Sequence, residues 1–308
     1  MALRDKKEFC EVYGLREMEK DLKTLRAKYP FIQLSTCGWS YLGQPLYLIR
    51  LGQGSRKIHV NGSHHGNEWI TSLILIQSLE RLLEAIEKKE VLWGIDTHKI
   101  LGQASYDFVP MVNPDGVRIS GGWLPKGRNG EKIKAFNEGK SDFSRWKANG
   151  RGVDLNRNYN AGFWDYVSIS EKKKPSYAYY AGPYPESERE TQALTQLTRR
   201  QNYDLVLAYH TQGEVIYWNY KGLEVDNGFK YAKMFSEASG YALDRPEIQA
   251  ASGGYKDWFI EAFRKPGYTL ECGLGENPLP LSVLEGCVEA TLPILLLASK
   301  DLRKEDSL

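Results

Sequence analysis

The sequence predicts an α/β protein with a mixed or mostly parallel sheet covered by helices on both faces. Two observations carry this reading. Short runs of strand length, such as Ile58-His59-Val60-Asn61 and Leu205-Val206-Leu207-Ala208-Tyr209, alternate with longer segments of helical periodicity. The second of these is apolar throughout, as strands buried on both faces are. No internal repeat and no flexible linker is visible, so residues 1–308 are expected to form a single domain.

The elements follow in order. Leu15, Met18, Leu22, Leu25 and Tyr29 share one helical face, and Pro30 ends that helix. Residues 31–36 and 45–51 read as paired strands around Gly38-Trp39-Ser40. Residues 58–61 form a central strand, and residues 69–86 a long helix with an apolar first half. A strand over 105–112 ends at Asn113-Pro114-Asp115-Gly116, a strong turn signal. Residues 117–184 are rich in Gly, Asn, Arg and aromatics with little periodicity, the mark of a long functional connection. A helix is expected over 185–201, strands over 204–209 and 215–220, and helices over 228–239 and 254–263. A strand over 267–272 and a terminal helix over 281–302 complete the chain.

Composition narrows the function. The 19 Tyr and 8 Trp indicate a globular chain, and a net charge of +2 with no long basic run gives no footprint for nucleic acid. Cys10, Cys37, Cys272 and Cys287 show no C-x-x-C spacing, so no disulfide framework is expected. Residues 1–28 are charged throughout and lack the apolar core of a signal peptide, and no stretch is long enough to span a bilayer. A cytoplasmic location is expected, with no membrane partner; a chain trimmed of an export segment would read the same.

Chemistry gathers where strands end. His65 and Glu68 lie three residues apart between a strand and a helix, and His210 and Glu271 each close an apolar run. In open α/β sheets, sites form at the carboxyl ends of central strands. Two imidazoles and a carboxylate suit zinc, one ion per chain, with His65, Glu68 and His210 as ligands. Taken singly, His210 reads first as a buried histidine on a backbone carbonyl, and Glu271 reads also as half of a salt bridge. A carboxylate in an apolar strand is costly unless it is partnered, and a place beside a metal site meets that need.

Six motifs in order, His65-Gly-Asn-Glu68, Asn113-Pro-Asp-Gly116, Val153-Asp-Leu-Asn-Arg-Asn158, Tyr209-His210-Thr211, Ala251-Ser-Gly-Gly-Tyr-Lys-Asp257 and Leu270-Glu271, resemble the M14 (funnelin) zinc metallocarboxypeptidases. The resemblance implies an α/β/α sandwich around a mixed, largely eight-stranded sheet. It implies His65, Glu68 and His210 as zinc ligands and Glu271 as general base. Asp154 would fix the His65 ring, and Asn156 and Arg157 would grip a free carboxylate of the substrate. Taken alone, Asp154, Asn156 and Arg157 read equally as surface turn residues. An arginine is expected to stabilise the oxyanion; Arg145 is the first choice and Arg151 the alternative. Gln249 stands where the family usually has a mobile tyrosine, a departure from the digestive enzymes.

Lys256 falls at the family's position for the base of the pocket that takes the leaving residue, and it implies an acidic group there. The bland alternative is a helix lysine reaching solvent. The segment Arg145 to Arg157 and the run Glu271-Cys-Gly-Leu-Gly-Glu-Asn-Pro278 resemble the bacterial γ-D-glutamyl-L-diamino acid peptidases of that family. The expected substrate is therefore a peptidoglycan stem peptide or muropeptide, cut before meso-diaminopimelate. An acidic carboxypeptidase, a deacylase of N-acyl amino acids, and an inactive zinc protein that binds peptide or wall fragments are the alternatives.

Overall fold

The computed structural model of the chain describes residues 12–244 and 252–302. Its strands are β1 (Gln33–Trp39), β2 (Pro45–Leu51), β3 (Arg56–Gly62), β4 (Val91–Leu92), β5 (Ile95–Asp96), β6 (Ala104–Val109), β7 (Leu205–His210), β8 (Val215–Tyr217), β9 (Ala242–Asp244) and β10 (Gly267–Glu271). Its helices are α1 (Leu15–Lys28), α2 (Ile70–Lys88), α3 (Thr97–Gln103), α4 (Pro114–Ser120), α5 (Arg128–Phe136), α6 (Phe163–Ile169), α7 (Arg189–Gln201), α8 (Gly228–Ser239), α9 (Tyr255–Phe263) and α10 (Leu284–Leu297).

Eight strands form one mixed sheet in the order β1-β2-β6-β3-β7-β10-β8-β9, and β4 and β5 make a separate two-stranded hairpin. The four central strands, β6, β3, β7 and β10, are parallel. The pleat sends successive side chains to opposite faces. Leu205, Leu207 and Tyr209 of β7 join the core shared with α1, α2, α8 and α10, whereas Val206 and Ala208 join the core shared with α7 and α9. That division explains why β7 is apolar up to His210 and buried throughout. The α/β/α sandwich implied by the sequence is what the chain forms.

Several boundaries move, each for a local reason. The strand expected over 105–112 stops at Val109, because Pro110 has no N–H for the ladder. The helix expected from residue 185 starts at Arg189, since Glu186 takes a positive φ of 58°. The connection expected to be irregular contains α5 and α6 and most of α4. These helices are seven to nine residues long, too short for periodicity to declare. Among the described residues no helix is long and apolar enough to cross a membrane.

Candidate metal centre and active site

The carboxyl ends of β3, β7 and β10 meet at one edge of the sheet. Glu271, the last residue of β10, is paired in register with His210, the last residue of β7. Gly62, the last residue of β3, is paired with Tyr209. The chain then turns through Ser63 and His64 to His65 and the 3₁₀ turn Gly66–Glu68, which leads into α2. Sheet register alone therefore sets His210, Glu271 and the His65 turn side by side.

The turn is fixed by its neighbours. A Cβ on Gly66 would lie 2.3 Å from the carbonyl oxygen of Gly116, so only glycine allows the two turns to touch. Asn113 binds the turns together: its side chain accepts from the Gly116 N–H at 2.8 Å and donates to the carbonyls of His64 at 3.0 Å and Ala148 at 3.1 Å. This is the physical content of the Asn-Pro-Asp-Gly motif. Gly253, at φ 75°, lets its loop approach the carbonyl oxygen of Arg157, where a Cβ would lie 2.4 Å away.

One donor atom from each of His65, Glu68 and His210 lies within 4.8 Å of the others, and all three residues are buried. Glu68 is held between the two rings: Oε1 is 2.8 Å from His65 Nδ1 and Oε2 is 2.9 Å from His210 Nδ1. The opposite ring nitrogen of His65, Nε2, lies 3.2 Å from Asp154 Oδ1. Asp154 itself accepts from the backbone N–H of Asn156 and of Tyr179. Such an arrangement orients the ring and leaves Nδ1 for a metal. The donor set fits zinc, and these three residues would hold it.

The charges agree with this reading. Burial disfavours the imidazolium of His65, but the Glu68 and Asp154 carboxylates outweigh it and push the group up to about 9. Glu68 is buried, yet His65 and Lys147 hold it well below the ordinary carboxylate range. A proton and a metal ion therefore compete for the same nitrogen, and metal binding releases that proton. Burial, and then the negative charge of Glu68, raise Glu271 to about 8.

A pocket opens from this edge, lined by His65, Glu68, His210 and Glu271 together with Lys147, Asn156, Arg157, Tyr217, Lys256, Asp257 and Thr269. Asn156 Oδ1 accepts from the Tyr255 N–H at 3.1 Å, and Arg157 Nη1 donates to the Asn156 carbonyl at 2.8 Å. Among the described residues the buried Arg157 Nε has no hydrogen-bond partner. Lys256 is 3% exposed, which removes the solvent-facing alternative.

One expectation needs correcting. Arg145 projects to solvent with its side chain 76% exposed, 3.7 Å from Glu276, and it does not line the pocket. Arg151 reaches Glu188 at 3.4 Å and lines a different cavity with Tyr41 and Tyr180. The cation that this segment delivers is Lys147, whose Nζ is 3.4 Å from Glu68 Oε1. Tertiary contacts make this choice: Trp146 is fully buried, and the Lys147 carbonyl accepts from the Gly66 N–H at 3.0 Å, which sets Lys147 against the His65 turn. Sequence reasoning also missed Asp257, beside Lys256, and Asn277, which donates to the Thr211 carbonyl at 2.9 Å next to the metal edge. Gln249 lies outside the described residues.

Comparisons with known proteins place this geometry. The γ-D-glutamyl-L-diamino acid endopeptidase 1 of Lysinibacillus sphaericus is 39% identical over 287 residues, which cover 92% of this chain and 71% of that protein. The solved structure of bovine thrombin-activatable fibrinolysis inhibitor, bound to a tick carboxypeptidase inhibitor, superposes with a TM-score of 0.73 at 20% identity, covering 96% of this chain and 98% of that one. The murein-tripeptide amidase of Escherichia coli O157 superposes with a TM-score of 0.55 at 21% identity, covering 85% of this chain and 91% of the other. These two structures speak to the fold alone. The zinc carboxypeptidase family profile, Peptidase M14, matches residues 18–293. The chain belongs to the M14 zinc carboxypeptidase family of metallopeptidases.

Proposed function

We propose that this zinc hydrolase cuts the γ-D-glutamyl–diamino acid bond of peptidoglycan stem peptides and releases the diamino acid. The observation that carries the reading is one pocket that holds Arg157 with Asn156, and the Lys256–Asp257 ion pair, beside His65, Glu68, His210 and Glu271. A leaving residue with two free carboxylates matches them, and meso-diaminopimelate is such a residue. The likeness to the Lysinibacillus sphaericus enzyme supports the same choice. A peptidase that removes C-terminal glutamate is the second reading, because glutamate also brings two carboxylates.

One zinc ion held by His65, Glu68 and His210 would supply Lewis acidity to the attacking water and to the scissile carbonyl. Glu271 takes a proton from that water as the C–O bond forms. It then gives the proton to the leaving amine as the C–N bond breaks. The same carboxylate thus accepts and returns one proton within a turnover. Lys147 supplies positive charge at the edge of the metal site, where the carbonyl oxygen becomes negative. Arg157 and Asn156 hold the α-carboxylate of the leaving residue.

The test is mass spectrometry of products from L-Ala-γ-D-Glu-meso-diaminopimelate beside a peptide ending in ordinary glutamate. Free diaminopimelate is expected, lost on chelation and in Glu271→Gln. Release of glutamate alone would move the protein to the acidic carboxypeptidases. No release from either peptide by the zinc-loaded protein would leave a peptide-binding role.

A further inference from the structure

We propose that His64, pinned by the Tyr159 hydroxyl, is a positioning residue that holds the His210 ring with Nδ1 turned to the metal. One turn then supplies both a ligand, His65, and the brace for another. This rests on the assignment of His65, Glu68 and His210 to zinc and not on which peptide is cut. The two ligand histidines are supported differently. His65 has a carboxylate behind it, with Asp154 Oδ1 3.2 Å from Nε2. The buried Nε2 of His210 makes no hydrogen bond among the described residues. Metal-bound imidazoles ordinarily carry a partner on the far nitrogen, which fixes the orientation of the ring. Here the His210 ring is fixed by packing instead.

The His64 ring stacks on that of His210, with centroids 5.5 Å apart and planes 24° from parallel. His65 meets the same ring edge-on, at 5.0 Å and 60°. Stacked and edge-to-face contacts at this spacing are favoured ring geometries, and a close-packed interior leaves little room to turn. His64 is itself held at both ends. Its Nε2 lies 2.9 Å from Tyr159 Oη, and its carbonyl accepts from Asn113 Nδ2 at 3.0 Å. The Tyr255 ring lies 5.9 Å from the His64 ring, and Tyr159 and Tyr255 pack edge to face at 5.3 Å. All of these side chains are buried. Successive residues of extended backbone send their side chains to opposite sides. His65, at φ −98° and ψ 137°, turns to Glu68 and Asp154, while His64 turns to Tyr159 and His210.

Zinc affinity, read by competition with a chromophoric chelator, tests this without turnover. Tyr159→Phe removes one oxygen and keeps the ring, so the core stays filled. It is expected to weaken zinc binding roughly 3- to 10-fold. His64→Phe keeps the stacked face and loses the same bond, so it should match Tyr159→Phe, and the two together should lose no more than either alone. His64→Leu removes the brace itself and should weaken zinc binding roughly 10- to 100-fold. The visible absorption of the cobalt-loaded protein reads ligand geometry directly, and its bands are expected to shift in Tyr159→Phe and in His64→Leu. Unchanged zinc affinity and an unchanged cobalt spectrum in folded Tyr159→Phe would overturn the proposal. So would a double variant whose loss is the product of the two single losses. Wild-type protein that takes up no zinc would reject the metal assignment and the brace with it. The expected losses of affinity in a protein that cleaves neither peptide would uphold the brace and reject the peptidase reading.

Discussion

The metal edge and the wall facing it are built in different ways. His210 and Glu271 are placed by the register of two parallel strands, and the His65 turn by the strand on the other side of β7. Their positions follow from backbone ladders inside a core that is buried on both sides. The opposite wall, carrying Lys147, Asp154, Asn156 and Arg157, comes from one long connection with short helices. It is held by side chains bonding backbone: Asn113 to Ala148, Asp154 to Tyr179, Asn156 to Tyr255. A sheet edge can carry the reacting groups because it tolerates little displacement. A stitched wall can change its cations and its specificity without disturbing the sheet.

Four outcomes would sharpen or break that comparison. The largest effect belongs to the edge. Glu271→Gln should lower kcat by roughly 10²- to 10⁴-fold with zinc content unchanged by atomic absorption. Loss of zinc in that variant would mean that Glu271 shapes the metal site rather than moving a proton. On the wall, Lys147→Met should lower kcat by about 10²- to 10³-fold with little change in KM, and Lys147→Arg should recover part of the loss. Arg145→Met is the matched control and should cost little, because its side chain is solvent-exposed. An Arg145 effect larger than that of Lys147 would reverse the assignment.

Asn113→Ala removes the side chain that ties the His65 turn to the wall. It leaves the His64 and Ala148 carbonyls and the Gly116 N–H without that partner in a buried setting. A loss of about 2–4 kcal/mol in denaturant unfolding is expected. A loss under half a unit would show that the two regions hold their places independently.

The last effect concerns pH and lies away from the pocket. Glu190 is buried, accepts from the Tyr41 N–H at 2.9 Å, and sits near Asp115 and Glu188. Burial first, and then the charge of Asp115, raise it to about 8 from 4.5. The folded state therefore keeps a proton that the unfolded chain gives up. Its contribution to stability falls as pH rises from about 4.5, and the fall levels off above about 8. Thermal melts from pH 5 to 9 should show that decline, and Glu190→Gln should flatten it.

Much of the edge was legible in residue types. His65, Glu68, His210 and Glu271 are chemically conspicuous, and each follows an apolar strand, so sequence alone placed them at one sheet edge. The wall was harder to read. Arg145, Lys147 and Arg151 stand within seven residues of each other in one polar stretch. Nothing in local composition tells which of them turns inward. The buried Trp146 and the bond from Gly66 to the Lys147 carbonyl decide it. The short helices α5 and α6 escaped notice because two turns offer too few positions to show a period.

By itself the sequence determined the fold class and the His65, Glu68, His210 and Glu271 cluster at one sheet edge, because strand length and apolar continuity are local properties. Tertiary structure decided the strand order, the cation beside the metal edge, and the pairing of Lys256 with Asp257. Those depend on which long side chains are buried together, and burial is set by contacts between segments far apart in the chain.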